Sequence, residues 1–288
     1  TGGYGDSNMG GHFAAEMKYA GYDAIVLKGA AAGPSIIVIE DGKVQIKDGS
    51  KYWSKGAIEA ERMMKDDLGE DFQIATIGPA GENQVVFACV SHDFGRQAGR
   101  TGIGAVLGSK KVKAIAIRGT QGFPLADPEK VIKKGKEIYD AAFAHPALKE
   151  WQDYGTAGVT TWANSIAAFP TKNFQTSYME GNEALSGEEM RKRIIITDKA
   201  CFGCPMACGK YSHTKTGKYE AYVEGPEYET TALVGGNCLL PSIEDVAYAN
   251  YVMDELGLDT ISGGGVAAFA LEMLRRGSSR RTTSRAGI

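Results

Sequence analysis

The chain has 288 residues, 43% hydrophobic and 23% charged, enough for one large or two ordinary domains with a sizeable buried core. A formal net charge of -3 offers no electrostatic case for nucleic acid as a partner. No apolar run approaches the ~18 residues of a membrane span, because Lys28 interrupts the longest stretch, around 24–39.

Read in chain order, a Gly-rich stretch over 2–11 precedes a short predicted helix over 12–20. Residues 24–28, 35–40 and 43–47 are β-branched runs separated by Gly, Pro or Asp-Gly turn signals, and Asp41-Gly42 predicts a hairpin. A helix is expected over 56–68, with Ile58, Met63 and Leu68 available for burial, and further strands over 73–77, 84–89 and 113–118. After Pro124 the character changes. Asp127 reads as an N-cap with Pro128 at the first helical position, opening a helix to about 145. Helical segments follow over 146–153, 158–167 and 187–193; Pro241-Ser242 opens another to about 256, and 263–276 forms the last. The expected class is therefore α+β: a β-rich part over 1–122, a mostly α-helical part over 123–276, and an atypical tail over 277–288 that reads as disordered.

Glycine, at 38 residues, is about twice as frequent as the usual ~7%. No repeat accompanies it, which excludes collagen-like and low-complexity readings and favours turns that approach a ligand closely. Five cysteines are present, and Cys201, Cys204 and Cys208 fall within eight residues as C-x2-C-x3-C. Short spacers let several thiolates reach one inorganic centre, either an iron–sulfur cluster or zinc. Clustering of this kind points to metal in a reducing compartment, so the expected location is cytoplasmic. By counting alone, Cys89 or Cys238 could supply a fourth ligand. The four histidines form no HExxH-like pair and read as ordinary packed or surface residues.

Three stretches suit an anionic cofactor. Residues 2–11 would turn backbone N–H groups and a helix start toward a phosphate. Residues 95–104 set Arg96 and Arg100 among glycines, offering fork donors beside exposed backbone. They match neither a G-x-G-x-x-G fingerprint after a strand nor a phosphate-binding loop ending in Gly-Lys-Ser/Thr. Residues 254–263 end one helix, turn at Gly257 and begin another, with carboxylates able to accept from ring N–H groups. Each stretch alone is equally well read as an ordinary glycine turn; their conjunction with the cysteines raises the cofactor reading.

Together these segments resemble the aldehyde:ferredoxin oxidoreductase family. The matching stretches, in family order, lie at 8–11, 15–23, 77–83, 95–110, 172–176, 201–208, 224–229 and 254–262, and the resemblance extends to about residue 276. It implies a β-rich base on which two pterin dithiolenes hold tungsten or molybdenum. Asn8, Gly10, Arg96, Gln97 and Gly99 match pterin-contacting positions, as do Asp254, Leu258 and Asp259. Gln97 stands where the family has alanine, so only its backbone role carries over. Cys201, Cys204 and Cys208 match three ligands of a [4Fe–4S] cluster.

The resemblance further implies oxidation of a small aldehyde to a carboxylic acid, with electrons passing through the cluster to ferredoxin or an iron–sulfur electron-transfer subunit. Magnesium at the cofactor and a homodimeric arrangement stay open. The family's fourth cluster cysteine falls beyond Ile288 and an upstream arginine before Thr1, so the chain reads as a fragment that is inactive alone, with no catalytic acid or base to name. Tyr248 and Tyr251 occupy positions where some members carry a Glu-x-x-His pair, so an iron between subunits is not expected. Two rivals remain: a benzoyl-CoA reductase-type subunit of the same superfamily, and a non-catalytic iron–sulfur or zinc module built only on the cysteines.

Overall fold

The computed structural model describes residues 3–215 and 217–277; the tail expected over 277–288 therefore lies, from residue 278 onward, outside the described residues. Six strands form one sheet: β1 (Ser35–Glu40), β2 (Lys43–Asp48), β3 (Gln73–Thr76), β4 (Val90–His92), β5 (Arg96–Ala98) and β6 (Val112–Arg118), in the order β2-β1-β6-β3-β4-β5. Only the pair β1 and β6 is parallel; the other pairings are antiparallel. The expected hairpin joins β1 to β2, with Asp41 and Gly42 both at positive φ (44° and 84°), the backbone twist a two-residue hairpin requires.

β1 is buried on both faces, and its alternation sorts its side chains. Ile36 and Val38 pack with Met64, Phe72 and Ile74 beneath the helix Ala57–Leu68. Ile37 and Ile39 pack with Ala20, Ile117 and the helix Phe13–Tyr19 on the other face. Two expected strands are corrected here. Residues 24–28 form no strand: Ile25 and Leu27 lie in the second of these clusters, covering the sheet rather than extending it. Residues 84–89 are turns whose one ladder contact is an isolated bridge from Ala88 to Leu258.

Beyond residue 122 helices predominate as expected, including Pro128–Ala144, Ala147–Tyr154, Thr160–Ser165, Gly187–Arg193, Ile243–Leu256 and Thr260–Arg275. The Asp127 side chain accepts from Lys130 N at 2.9 Å, so that N-cap acts as read, and Ser242 caps the helix expected after Pro241 by accepting from Asp245 N at 3.2 Å. A three-stranded antiparallel sheet, β7 (Ile195–Lys199), β8 (Gly209–Thr214) and β9 (Ala221–Glu224), was not expected in this half. Nor was the wide turn Thr231–Gly236, which continues the short helix Tyr228–Thr230. Phe169, Leu185, Met190, Ile194, Val223, Ile243 and Val246 form the second core. The halves meet where Ala57–Leu68 packs on Ile243–Leu256, with Glu255 Oε2 accepting from Glu59 N at 3.2 Å. Among the described residues no helix is long and apolar enough to cross a membrane.

Candidate functional site

A cavity of about 630 Å³ opens between the six-stranded sheet, β9 and the turn joining the last two helices. Asn8, Gly10, Arg96, Gln97, Gly99, Asp254, Leu258 and Asp259, drawn from three segments far apart in sequence, all line it. The turn that carries Leu258 and Asp259 is docked by its backbone. Cys89 N donates to Gly257 O at 2.9 Å and Asp259 N to Phe87 O at 3.1 Å. Gly257 adopts φ 72°, and a Cβ on Gly78 would lie 2.4 Å from the Leu256 carbonyl. The glycines of 77–83 thus serve close backbone approach behind the cavity.

His92 holds the first loop. Its Nε2 accepts from His12 N and Phe13 N, both at 3.1 Å, while Nδ1 donates to Ile74 O at 3.1 Å. That pattern assigns a neutral imidazole, and burial pushes its pKa down to about 4. The hairpin before Arg96 is held from the opposite side. Buried Glu61 accepts from Asp93 N and Phe94 N, both at 2.9 Å and both residues at positive φ. Burial pushes the Glu61 carboxyl up to about 7.

Arg96 runs between the cavity and the cysteine loop. Its Nε lies 2.7 Å from Glu224 Oε1, yet neither buried atom has a hydrogen bond of good alignment. Lys199 Nζ donates to the other Glu224 oxygen at 3.0 Å. Burial opposes the Arg96 charge, but Glu224, Cys201, Glu227 and Cys208 outweigh it and hold its pKa up. Only glycine fits beside this pair: a Cβ on Gly209 would lie 2.3 Å from Arg96 Nη2. A Cβ on Gly10 would lie 2.7 Å from Cys201 Sγ, so the first loop touches both the cavity and the cysteines.

All five cysteines are free thiols. The loop bearing Cys201, Cys204 and Cys208 is tied down by Phe202 N donating to Gly11 O at 3.1 Å and Tyr139 Oη donating to Gly203 O at 2.7 Å. The three thiols are neighbours, and among the described residues no three His, Cys, Asp or Glu side chains are gathered as a formed metal site. Burial, then Glu227, pushes the Cys208 thiol up, Cys201 and Cys204 both act in the same direction, and Arg96 pulls against this.

The sequence reading missed several cavity residues. Glu224, Glu227, Glu229 and Asn250 line it beside the expected set. Asn250 stands four residues before Asp254 on one helix face, a signal available in the sequence. Gln97, expected to act through its backbone alone, donates from Nε2 to Asp254 Oδ1 at 3.1 Å. Asp259 also serves the fold itself. It caps Thr260–Arg275 by accepting from Ile261 N and Ser262 N, and pairs with Arg100 at 2.7 Å.

Residues 1–119 match the family model for the aldehyde ferredoxin oxidoreductase N-terminal domain, and residues 133–286 match that for its domains 2 and 3. The chain belongs to the aldehyde ferredoxin oxidoreductase family. It is 42% identical over 273 residues to the tungsten-containing aldehyde ferredoxin oxidoreductase of Pyrococcus horikoshii, covering 94% of this chain and 44% of that relative. Against the Pyrococcus furiosus enzyme of the same name it is 41% identical over 276 residues, covering 94% of this chain and 45% of that relative. The active-site complex of benzoyl coenzyme A reductase with 1,5-dienoyl-CoA superposes with a TM-score of 0.78 at 26% identity, covering 97% of this chain and 44% of that one. The chain thus spans under half the length of these family relatives.

Proposed function

We propose that this chain forms the pterin- and cluster-binding part of a tungsten-dependent aldehyde oxidoreductase that passes electrons to ferredoxin. The observation that carries the reading is the single cavity lined by all eight cofactor positions, with Cys201 packed against its Gly10 loop. Its lining suits a phosphate-bearing, N–H-rich ring. Asp254 and Glu224 present carboxylates to N–H donors, while Arg96, Arg100 and the glycine backbone face anionic groups. Acidic side chains outnumber the two arginines, so magnesium belongs to the proposal as the cation that offsets phosphate charge.

When bound, the tungsten–pterin group supplies the two-electron oxidation that turns an aldehyde into a carboxylate. The residues of this chain position and polarise. Asn8, Gly10, Arg96, Gln97, Gly99, Asp254, Leu258 and Asp259 hold the pterin edges. Cys201, Cys204 and Cys208 are the soft donor set for a [4Fe–4S] cluster. Arg96 lines the cavity within reach of the Cys201 and Cys208 charges, and would hold positive charge beside both sites. Glu227 lines the cavity with its carboxyl pushed up by burial, and can hold a proton at its wall.

Identity of 42% to aldehyde enzymes against 26% to the benzoyl coenzyme A reductase complex favours an aldehyde substrate. The test is anaerobic expression, with tungstate, of the reading frame that carries this chain, followed by metal analysis and aldehyde-dependent viologen reduction. Tungsten and iron in the purified protein with aldehyde-dependent reduction are expected. Zinc as the sole metal would overturn the reading.

A further inference from the structure

Asp254 is 2% exposed and accepts two side-chain N–H groups: Gln97 Nε2 on Oδ1 at 3.1 Å and Asn250 Nδ2 on Oδ2 at 2.7 Å. Gln97 reaches it from β5; Asn250 comes from one turn earlier on its own helix. The Gln97 amide has no freedom to flip. Its Nε2 also donates to Ser91 Oγ at 3.1 Å, and its Oε1 accepts from the Cys89 thiol at 2.9 Å. Burial pushes the Cys89 thiol far up, so the sulfur keeps the proton it donates. The amide oxygen is thereby committed to Cys89, and the nitrogen to Asp254.

We infer that Gln97 and Asn250 form a two-amide clamp that fixes Asp254 as an oriented, acceptor-only carboxylate on the cavity wall. Such a carboxylate selects a ligand edge that presents N–H donors over one that presents lone pairs. The identity of that ligand as a pterin rests on the proposed function; the clamp itself does not. Gln97 is then a positioning residue acting through Asp254. Burial and the neighbouring carboxylates of Glu224 and Glu255 push the Asp254 carboxyl well up in net, and the two amides are what oppose its protonation. The titratable groups facing Asp254 are Glu224 from β9, Glu255 on its own helix, and Cys89; Asp259 lines the same cavity.

The test is a pH series of infrared difference spectra on the metal-free protein made from the reading frame that carries this chain, with the Asp254 carboxyl band identified by its loss in Asp254→Asn. Gln97→Met keeps the side-chain length without the donor, and Gln97→Glu puts an acceptor in its place. The Asp254 midpoint should rise by about one pH unit in Gln97→Met and further in Gln97→Glu. A midpoint unchanged in Gln97→Met overturns the clamp. A second measurement needs no substitution. In the unsubstituted chain the Gln97 side-chain amide resonance should shift with the same midpoint as the Asp254 band. An amide resonance silent through that titration also overturns the proposal. Neither readout uses cofactor or turnover, so failure here leaves the pterin reading standing, and failure of that reading leaves the clamp testable.

Discussion

The cavity wall and the cysteine loop lie side by side, joined at Gly10, yet they are built on opposite plans. The wall is made by backbone packed on backbone. A Cβ on Gly108 would lie 1.8 Å from Gly81 O, and one on Gly104 would lie 2.3 Å from Cys89 O. Behind it sit buried polar groups with assigned partners, among them His92 and Glu61, while buried Asp254 lies on its face. The cysteine loop carries an exposed Cys204 and is held by a few hydrogen bonds to its neighbours. Geometry is therefore written into the wall, while the loop is the more lightly held of the two, and on the proposed reading it supplies donor chemistry. Substitutions in the two regions should fail in different ways: through stability in one, through metal content in the other.

The largest effect belongs to the glycine contacts. Gly108→Ala forces two backbones apart, and overpacking of that kind should destabilise the fold by about 3 kcal/mol or prevent folding. Urea unfolding measures it; a midpoint equal to that of the unsubstituted chain would show that the wall yields easily. Next is Arg96→Met, which leaves the Glu224 carboxylate, 4% exposed, facing Lys199 alone. Loss of one member of a buried pair should cost about 3 kcal/mol, and Arg96→Met with Glu224→Gln should recover part of it. Equal unfolding midpoints for the single and double variants would mean that water already screens the pair.

The supports of the wall titrate in opposite senses. His92 has its folded pKa lowered from 6.5 to about 4, so its contribution is present above pH 6.5 and is lost as pH falls through 4. Glu61 has its folded pKa raised from 4.5 to about 7, so its contribution is present below pH 4.5 and is lost as pH rises through 7. Between these limits the two offset each other. Glu61→Gln removes one side, and its stability should fall steadily as pH drops from 6.5 toward 4, whereas the unsubstituted chain stays flatter. Denaturation midpoints across that range check this. Parallel curves for the two proteins would mean that Glu61 does not titrate there.

Legibility in the sequence follows the same division. Elements that declare themselves by a local rule were readable: the Asp41-Gly42 hairpin, the Asp127-Pro128 helix start, the Pro241-Ser242 helix start. The three cavity segments were readable because glycine, arginine and carboxylate chemistry marks them. β8 was not, since the residues it buries include Lys210, Ser212 and Thr214, which hide polar atoms by bonding to carbonyl groups such as Gln152 O and Gly225 O. No apolar alternation betrays such a strand. The opposite error arose at 24–28, where an apolar run lies across the sheet rather than in it. The side-chain role of Gln97 escaped because its partner Asp254 comes from a distant part of the chain, whereas Asn250, four residues before Asp254, was overlooked despite a local signal.

The smallest effect on stability, and the sharpest separation of the two regions, should come from Cys204→Ser. Cys204 is exposed, and the loop hydrogen bond to it uses its backbone N–H, which serine keeps. Removing one sulfur from an exposed side chain should move the unfolding free energy of the metal-free chain by less than about 0.5 kcal/mol. Iron and sulfide content should respond quite differently. Thiolate ligation is what holds such a cluster, and a hydroxyl oxygen is a poorer donor to iron. The prediction is a large loss of iron and acid-labile sulfide in anaerobically prepared protein, with an unchanged melting curve for the metal-free chain. Full iron content in Cys204→Ser would remove that cysteine from the ligand set. A stability loss as large as that of Gly108→Ala would show that the loop, like the wall, is part of the packed frame.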